Sequence, residues 1–291
     1  MQSCVTCVTR QVRIDRDVPT TFQRNVNGGP VMGHILLATM PNTEAWREVA
    51  GLLDSNATDE DVIRASAVAA EGTLNGAAQD PALAAAVHLL AMVPRAAQDD
   101  RFEEKLAALE VKVPAAPGLG DLVVGISLAF EQGVRRAQDR SDFGEIVRRA
   151  LLGSLISFSE DVLSWPFEAS ADETRAAVAK LAQPEAFAWA AHAFFARLTA
   201  DTLGYWLDRT LSTRVGPGKR FGSIGDRDAF DHAIDEVCAA GAVIIREFAE
   251  DWYRLRIHQD GSVTPERAAI FGAVAFRRIG EEIGRHRGVD A

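Results

Sequence analysis

The chain has 291 residues with 47% apolar and 25% charged side chains, enough apolar surface to bury one large core or two modest ones, which excludes wholesale disorder. Its formal charge of −10 excludes a general role in coating nucleic acid or an anionic membrane, because phosphate-rich surfaces repel an acidic protein; a local basic patch is the route left open to nucleic acid. Three cysteines, Cys4, Cys7 and Cys238, exclude a disulfide framework and suit a reducing compartment.

The first 33 residues differ from the rest. Val12 to Val18 alternates apolar and charged residues at the period of a strand, and Asn27-Gly28-Gly29-Pro30 then breaks the chain. This predicts an extended arm with room for one short strand, which would pair in a hairpin, join a partner's sheet or lie over the body. No basic region followed by an apolar core opens the sequence, so no secretory signal is expected and the location expected is cytoplasmic. Only four of the 31 cations are lysine; with the abundance of Ala, Gly, Val and Asp, this matches a GC-rich bacterial source.

From residue 34 the pattern is helical, and the fold expected is an all-α multi-helix bundle. Asn42 or Thr43 caps a helix through Trp46, Val49 and Leu53, and Thr58 followed by Asp59-Glu60-Asp61 opens a second. Asp80-Pro81 opens a third that Pro94 should end, and a short helix follows through Leu109. Residues 112–120, rich in Pro and Gly, form the best linker, placed between a helical lobe at 34–111 and a larger lobe at 121–291.

In the larger lobe a helix runs from Leu122 to Gln138, and another opens at Ser141-Asp142 and ends at Pro166. A short helix covers 176–182. Pro184 starts a long one whose apolar residues, including Phe187, Trp189 and Phe194, wrap nearly all sides and place it at the bundle centre. The clearest helix follows the glycine-rich loop: Phe230, Ile234, Gly241, Phe248 and Trp252 step by three or four, with Asp226 as the expected cap. Gln259-Asp260-Gly261-Ser262 turns the chain, and Thr264-Pro265 caps the last helix.

The loop Gly216-Pro217-Gly218-Lys219-Arg220-Phe221-Gly222-Ser223 carries the best functional signal. Glycines permit close backbone approach, a helix N-terminus carries partial positive charge, and two cations sit beside it, so Gly218, Lys219, Arg220, Gly222, Ser223 and Asp226 form a candidate anion site. The nucleotide-binding pattern fails, since Arg220 stands where Ser or Thr should bind magnesium and Thr213 where the first glycine belongs. A Gly/Pro connection between two helices explains the same residues.

Cys4-Val5-Thr6-Cys7 has zinc-ligand spacing without a second pair, and the remaining ligands would have to come from His34, Cys238 or another histidine brought close by folding. No cofactor is expected on the sequence, zinc being the one weak candidate. Asp228, Asp231, His232 and Asp235 share one side of a helix, a pattern that serves a cation or acid–base chemistry and equally a solvated first turn. His192, amid aromatic residues, reads as a pocket or core histidine, with Asp201 and Asp208 on the following turns. Arg148-Arg149, Arg277-Arg278 and Arg285-His286-Arg287 would make one basic face if they converged.

No nucleophile elbow, HExxH helix or triad order is present, so the sequence leaves open whether the chain is an enzyme. The function expected is a non-catalytic binding or scaffolding component of a bacterial cytoplasmic protein assembly, with the arm contacting a partner protein or a second copy. The alternative is an anion- or nucleotide-binding helical domain, with or without catalysis, built on Lys219 and Arg220 with His192 or His232 nearby.

Overall fold

The computed structural model describes residues 42–137, 140–162 and 169–285, so the N-terminal arm, with Cys4, Cys7 and His34, lies outside the described residues, as do Pro166 and His286-Arg287. Ten α-helices and no strand are found among the described residues, as an all-α bundle requires.

Helix α1 (Glu44–Leu53) is capped by Thr43, whose hydroxyl accepts from the Trp46 N–H. Thr58 and Asp61 form a reciprocal capping box that opens α2 (Asp59–Ala77), and Asp80 caps α3 (Pro81–Ala97) with proline in its first turn. Pro94 does not end α3. The helix continues to Ala97 because Val93, Ala96 and Ala97 are buried on its last turn, and their burial outweighs the hydrogen bond that proline removes.

Helix α4 (Phe102–Ala108) leads into the 112–120 segment and α5 (Leu119–Ala137). Helices on both sides of that segment pack together, α3 lying against α5, α6 (Asp142–Val162), α7 (Ala171–Lys180) and α10 (Pro265–Arg285). Gly125 lets α5 approach the segment: a Cβ there would stand 2.8 Å from the Lys112 carbonyl oxygen.

The 28-residue α8 (Pro184–Leu211) and 37-residue α9 (Ile224–Asp260) form the most extensive helix pair. Phe187 stacks on Tyr253 at 4.2 Å between ring centroids, and Trp252 stacks on Phe271 of α10 at 4.2 Å. This aromatic cluster ties α8, α9 and α10 into one core. One expectation for α8 needs correction: its first half is not buried all round, since Trp189, Ala193 and Arg197 form an open stripe at four-residue spacing.

The cap of α9 also stands three residues earlier than expected. Ser223 is the cap, accepting from the Asp226 N–H at 3.2 Å, and Asp226 is its capping-box partner, accepting from the Ser223 N–H at 2.9 Å. Gly261, at φ 69°, ends α9 in the left-handed conformation that glycine adopts without penalty. No single helix among the described residues is long and apolar enough to cross a membrane.

Candidate functional site

The glycine-rich loop lines a polar cleft of about 960 Å³. Its walls are the α1–α2 corner, the loop itself and the first turns of α9. A 3-10 turn at Ser212–Arg214 leads in, and the loop then closes on itself: the Gly216 N–H donates to the Phe221 carbonyl at 2.8 Å and the Phe221 N–H to the Arg214 carbonyl at 3.1 Å. Gly216 and Gly218 take φ of 127° and 73°, which explains why glycine stands there. Phe221 is buried against Phe230 and anchors the turn to the core.

Of the six predicted anion-site residues, Gly218, Lys219, Arg220 and Asp226 line the cleft. Arg220 is held from within: its side chain is 9% exposed and donates to the carbonyls of Leu52, Ser55 and Ala57 and, at 2.8 Å, to Asp59. It therefore closes the carbonyl end of α1, where helix-dipole charge is negative. Arg214, unremarked in the sequence, pairs with Asp54 at 2.9 Å in the same cleft. Lys219 donates to the Thr213 carbonyl at 2.8 Å from an exposed position. Ser223 and Asp226 cap α9, so three carboxylates, Asp54, Asp59 and Asp226, stand beside the three cations.

The acidic face of α9 resolves into separate pairs. Asp231 bonds Arg227, which also meets Asp208, while His232 lies 3.4 Å from Glu236 and is 74% exposed along its side chain. Asp228 is exposed. Among the described residues no group of three or more His, Cys, Asp or Glu is placed to hold a metal ion. Cys238 is buried in the core, where burial and then the Asp235 and Asp201 charges hold its thiol far above the ordinary range.

His192 belongs to a different region. Its Nε2 lies 3.0 Å from the Ala239 carbonyl, and its ring meets the edge of Trp189 at 6.1 Å. Trp189 is 48% exposed, and the Arg246 guanidinium of α9 stacks 3.4 Å from its ring centroid. Beside it an apolar groove of about 460 Å³ runs between α6 and α8, with Phe158, Ala186, Ala190 and Ala193 in its walls. No local signal identifies this region, because Trp189 and Arg246 come from different helices and the apolar run around Trp189 reads as core.

The arginine doublets engage separate partners: Arg148 binds Glu145 and Ser127, Arg277 faces Glu281, and Arg278 lies over the Phe248 ring. Asp201 is half-buried, and burial raises its carboxyl above the usual range while Arg149 and Arg197 oppose the shift.

The described chain is thus an all-α helical bundle bearing a polar cleft and, elsewhere, an apolar groove with an exposed tryptophan. No family model, no curated protein and no solved structure matches it.

Proposed function

We propose that this chain is a non-catalytic helical binding or scaffolding component of a bacterial cytoplasmic protein assembly. The observation that carries the reading is Trp189, a large aromatic side chain 48% exposed beside an apolar groove and stacked by Arg246. Exposed tryptophan next to apolar surface is costly in water, and Trp and Arg are the residue types that dominate protein interfaces. The arm at residues 1–33 is the second proposed contact, toward a partner protein or another copy.

The test is site-specific photo-crosslinking in cells of the source organism, with a photoreactive phenylalanine at position 189 and, as control, at exposed Asp228. Discrete higher-mass adducts from position 189 alone are expected. Equal labelling from both positions, or none from position 189, overturns the reading.

A second reading is favoured by the size of the polar cleft and by Lys219 at its edge: an anion- or nucleotide-binding domain. A thermal-shift panel of nucleotides and phosphate esters tests it. A ligand-specific rise lost in Lys219→Ala supports that reading, and a flat panel removes it.

A further inference from the structure

We infer that the α6–α8 groove is a docking site for an acidic amphipathic segment of a partner protein. This rests on the interaction reading above and adds the surface and the chemistry of the partner. The walls are mostly apolar or small, with Ser154, Ser157 and Phe158 from α6 and Ala186, Trp189, Ala190 and Ala193 from α8, and Lys180, Gln183 and Glu185 complete the lining. Such a trough accepts apolar anchors spaced along one face of a helix.

Charge selects the occupant. Lys180 lines one end of the groove, Arg246 lies on Trp189, and Arg197 stands one turn beyond Ala193, packed over Gly153. Among the described residues none of these three makes an ion pair, and Asp201 acts on Arg197 only through space. Glu185 is the one acidic residue among the described residues of the groove lining. In a chain of net charge −10, three cations without an ion pair gathered beside one apolar groove favour an acidic partner there.

The same argument disfavours the chain's own arm as the occupant. Its charges are Arg10, Arg13, Arg16 and Arg24 against Asp15 and Asp17, so it is basic and would meet like charge. A carboxylate-bearing amphipathic helix instead pairs its acids with Lys180, Arg197 and Arg246 while its apolar face covers Trp189.

The experiment is fluorescence anisotropy with two labelled synthetic amphipathic peptides, one of Leu, Trp and Glu and its charge-reversed counterpart with Lys for Glu, titrated with the full chain. Saturable binding of the acidic peptide alone is expected, weakening about tenfold in Trp189→Ala and in the Arg197→Glu, Arg246→Glu double variant. Lys180→Gln, at an exposed helix end, should weaken it with little change in melting temperature, since no anion is placed at the helix C-terminus, and so separates docking from folding. No saturable binding, equal binding of the basic peptide, or indifference to these substitutions overturns the inference. Tighter peptide binding after deletion of residues 1–33 assigns the groove to the arm, and concentration-dependent dimerisation abolished by Trp189→Ala assigns it to a second copy; either outcome overturns it too. Crosslinking from position 189 together with failure of the acidic peptide leaves the interaction reading standing and removes only the partner chemistry.

Discussion

Arg220 illustrates how one side chain can look like a ligand group in sequence and serve as a brace in structure. Four bonds run from its guanidinium to the α1–α2 corner, and each acceptor lies more than 160 residues away in the chain. Arg220→Ala should therefore lower stability by about 2 kcal/mol, less than for a fully buried pair because Asp59 is partly exposed. Arg220→Lys should recover little, since an ammonium cannot match the planar fork; urea unfolding midpoints measure both. His88 makes a pH-dependent contribution. Its Nδ1 lies 2.9 Å from the Val263 carbonyl, and burial lowers its pKa from the ordinary 6.5. The unfolded chain binds the proton first, so stability is full above that value and declines as pH falls toward the lower folded value. His88→Asn should flatten the melting temperature between about pH 7 and 5, where wild type declines. Asp201 has the opposite sign: its raised pKa favours the folded state at low pH, and that contribution is lost as pH rises through the folded value. Asp201→Asn should raise stability near neutrality by under about 1 kcal/mol, a modest gain because the site is partly solvated and Arg149 and Arg197 already oppose the shift.

Helices were the legible scale because their signals are local. Thr43, Thr58 and Asp80 each cap within three residues of their targets, and the three-to-four spacing from Phe230 to Trp252 is carried by a single helix. What could not be read was where helices meet. Pro94 ends a helix by its own chemistry and is overruled by burial. Trp189 looks like core and is left on the open side of α8, and Arg246 reaches it only after folding. The polar cleft was half legible: the glycines and cations of the loop are visible in sequence, Arg214 standing two residues before Gly216, whereas Asp54 and Asp59, which neutralise them, arrive from the α1–α2 corner. Close helix approach is likewise set by pairs distant in sequence. At Gly241 of α9 a Cβ would stand 2.5 Å from Ile283 Cγ1 of α10, and at Gly125 the obstacle is backbone. Gly241→Ala and Gly125→Ala should each cost about 1–3 kcal/mol through overpacking, outweighing the gain in helix propensity. Gly204 of α8, with open space around its Cβ direction, is the control, and Gly204→Ala should stabilise by up to about 1 kcal/mol in thermal or urea unfolding.

At the scale of the whole molecule, the body from α1 to α10 holds its own core. The Trp46–Trp206 contact joins α1 to α8, the aromatic cluster joins α8, α9 and α10, and α3 packs against both early and late helices. Capping of α1 by Thr43 is likewise local to the described chain, so none of these contacts draws on residues 1–33. Deletion of residues 1–33 should therefore leave circular dichroism and the melting temperature nearly unchanged. If the arm is a contact element, the same deletion should abolish assembly seen by native mass spectrometry or sedimentation of the full chain. Charge gives this a direction: the arm carries four arginines against two aspartates, while the rest of the chain accounts for the acidic total. Assembly driven by a basic arm on an acidic body should weaken with added salt, because screening acts on exposed opposite charges. Docking at Trp189 should retain a salt-resistant component, since apolar burial remains when charge attraction is screened. A salt series on the full chain, the deletion variant and Trp189→Ala thus separates the two contacts: loss of assembly in the deletion with salt-sensitive wild type assigns it to the arm, and unfolding of the deletion variant would show that the arm belongs to the core.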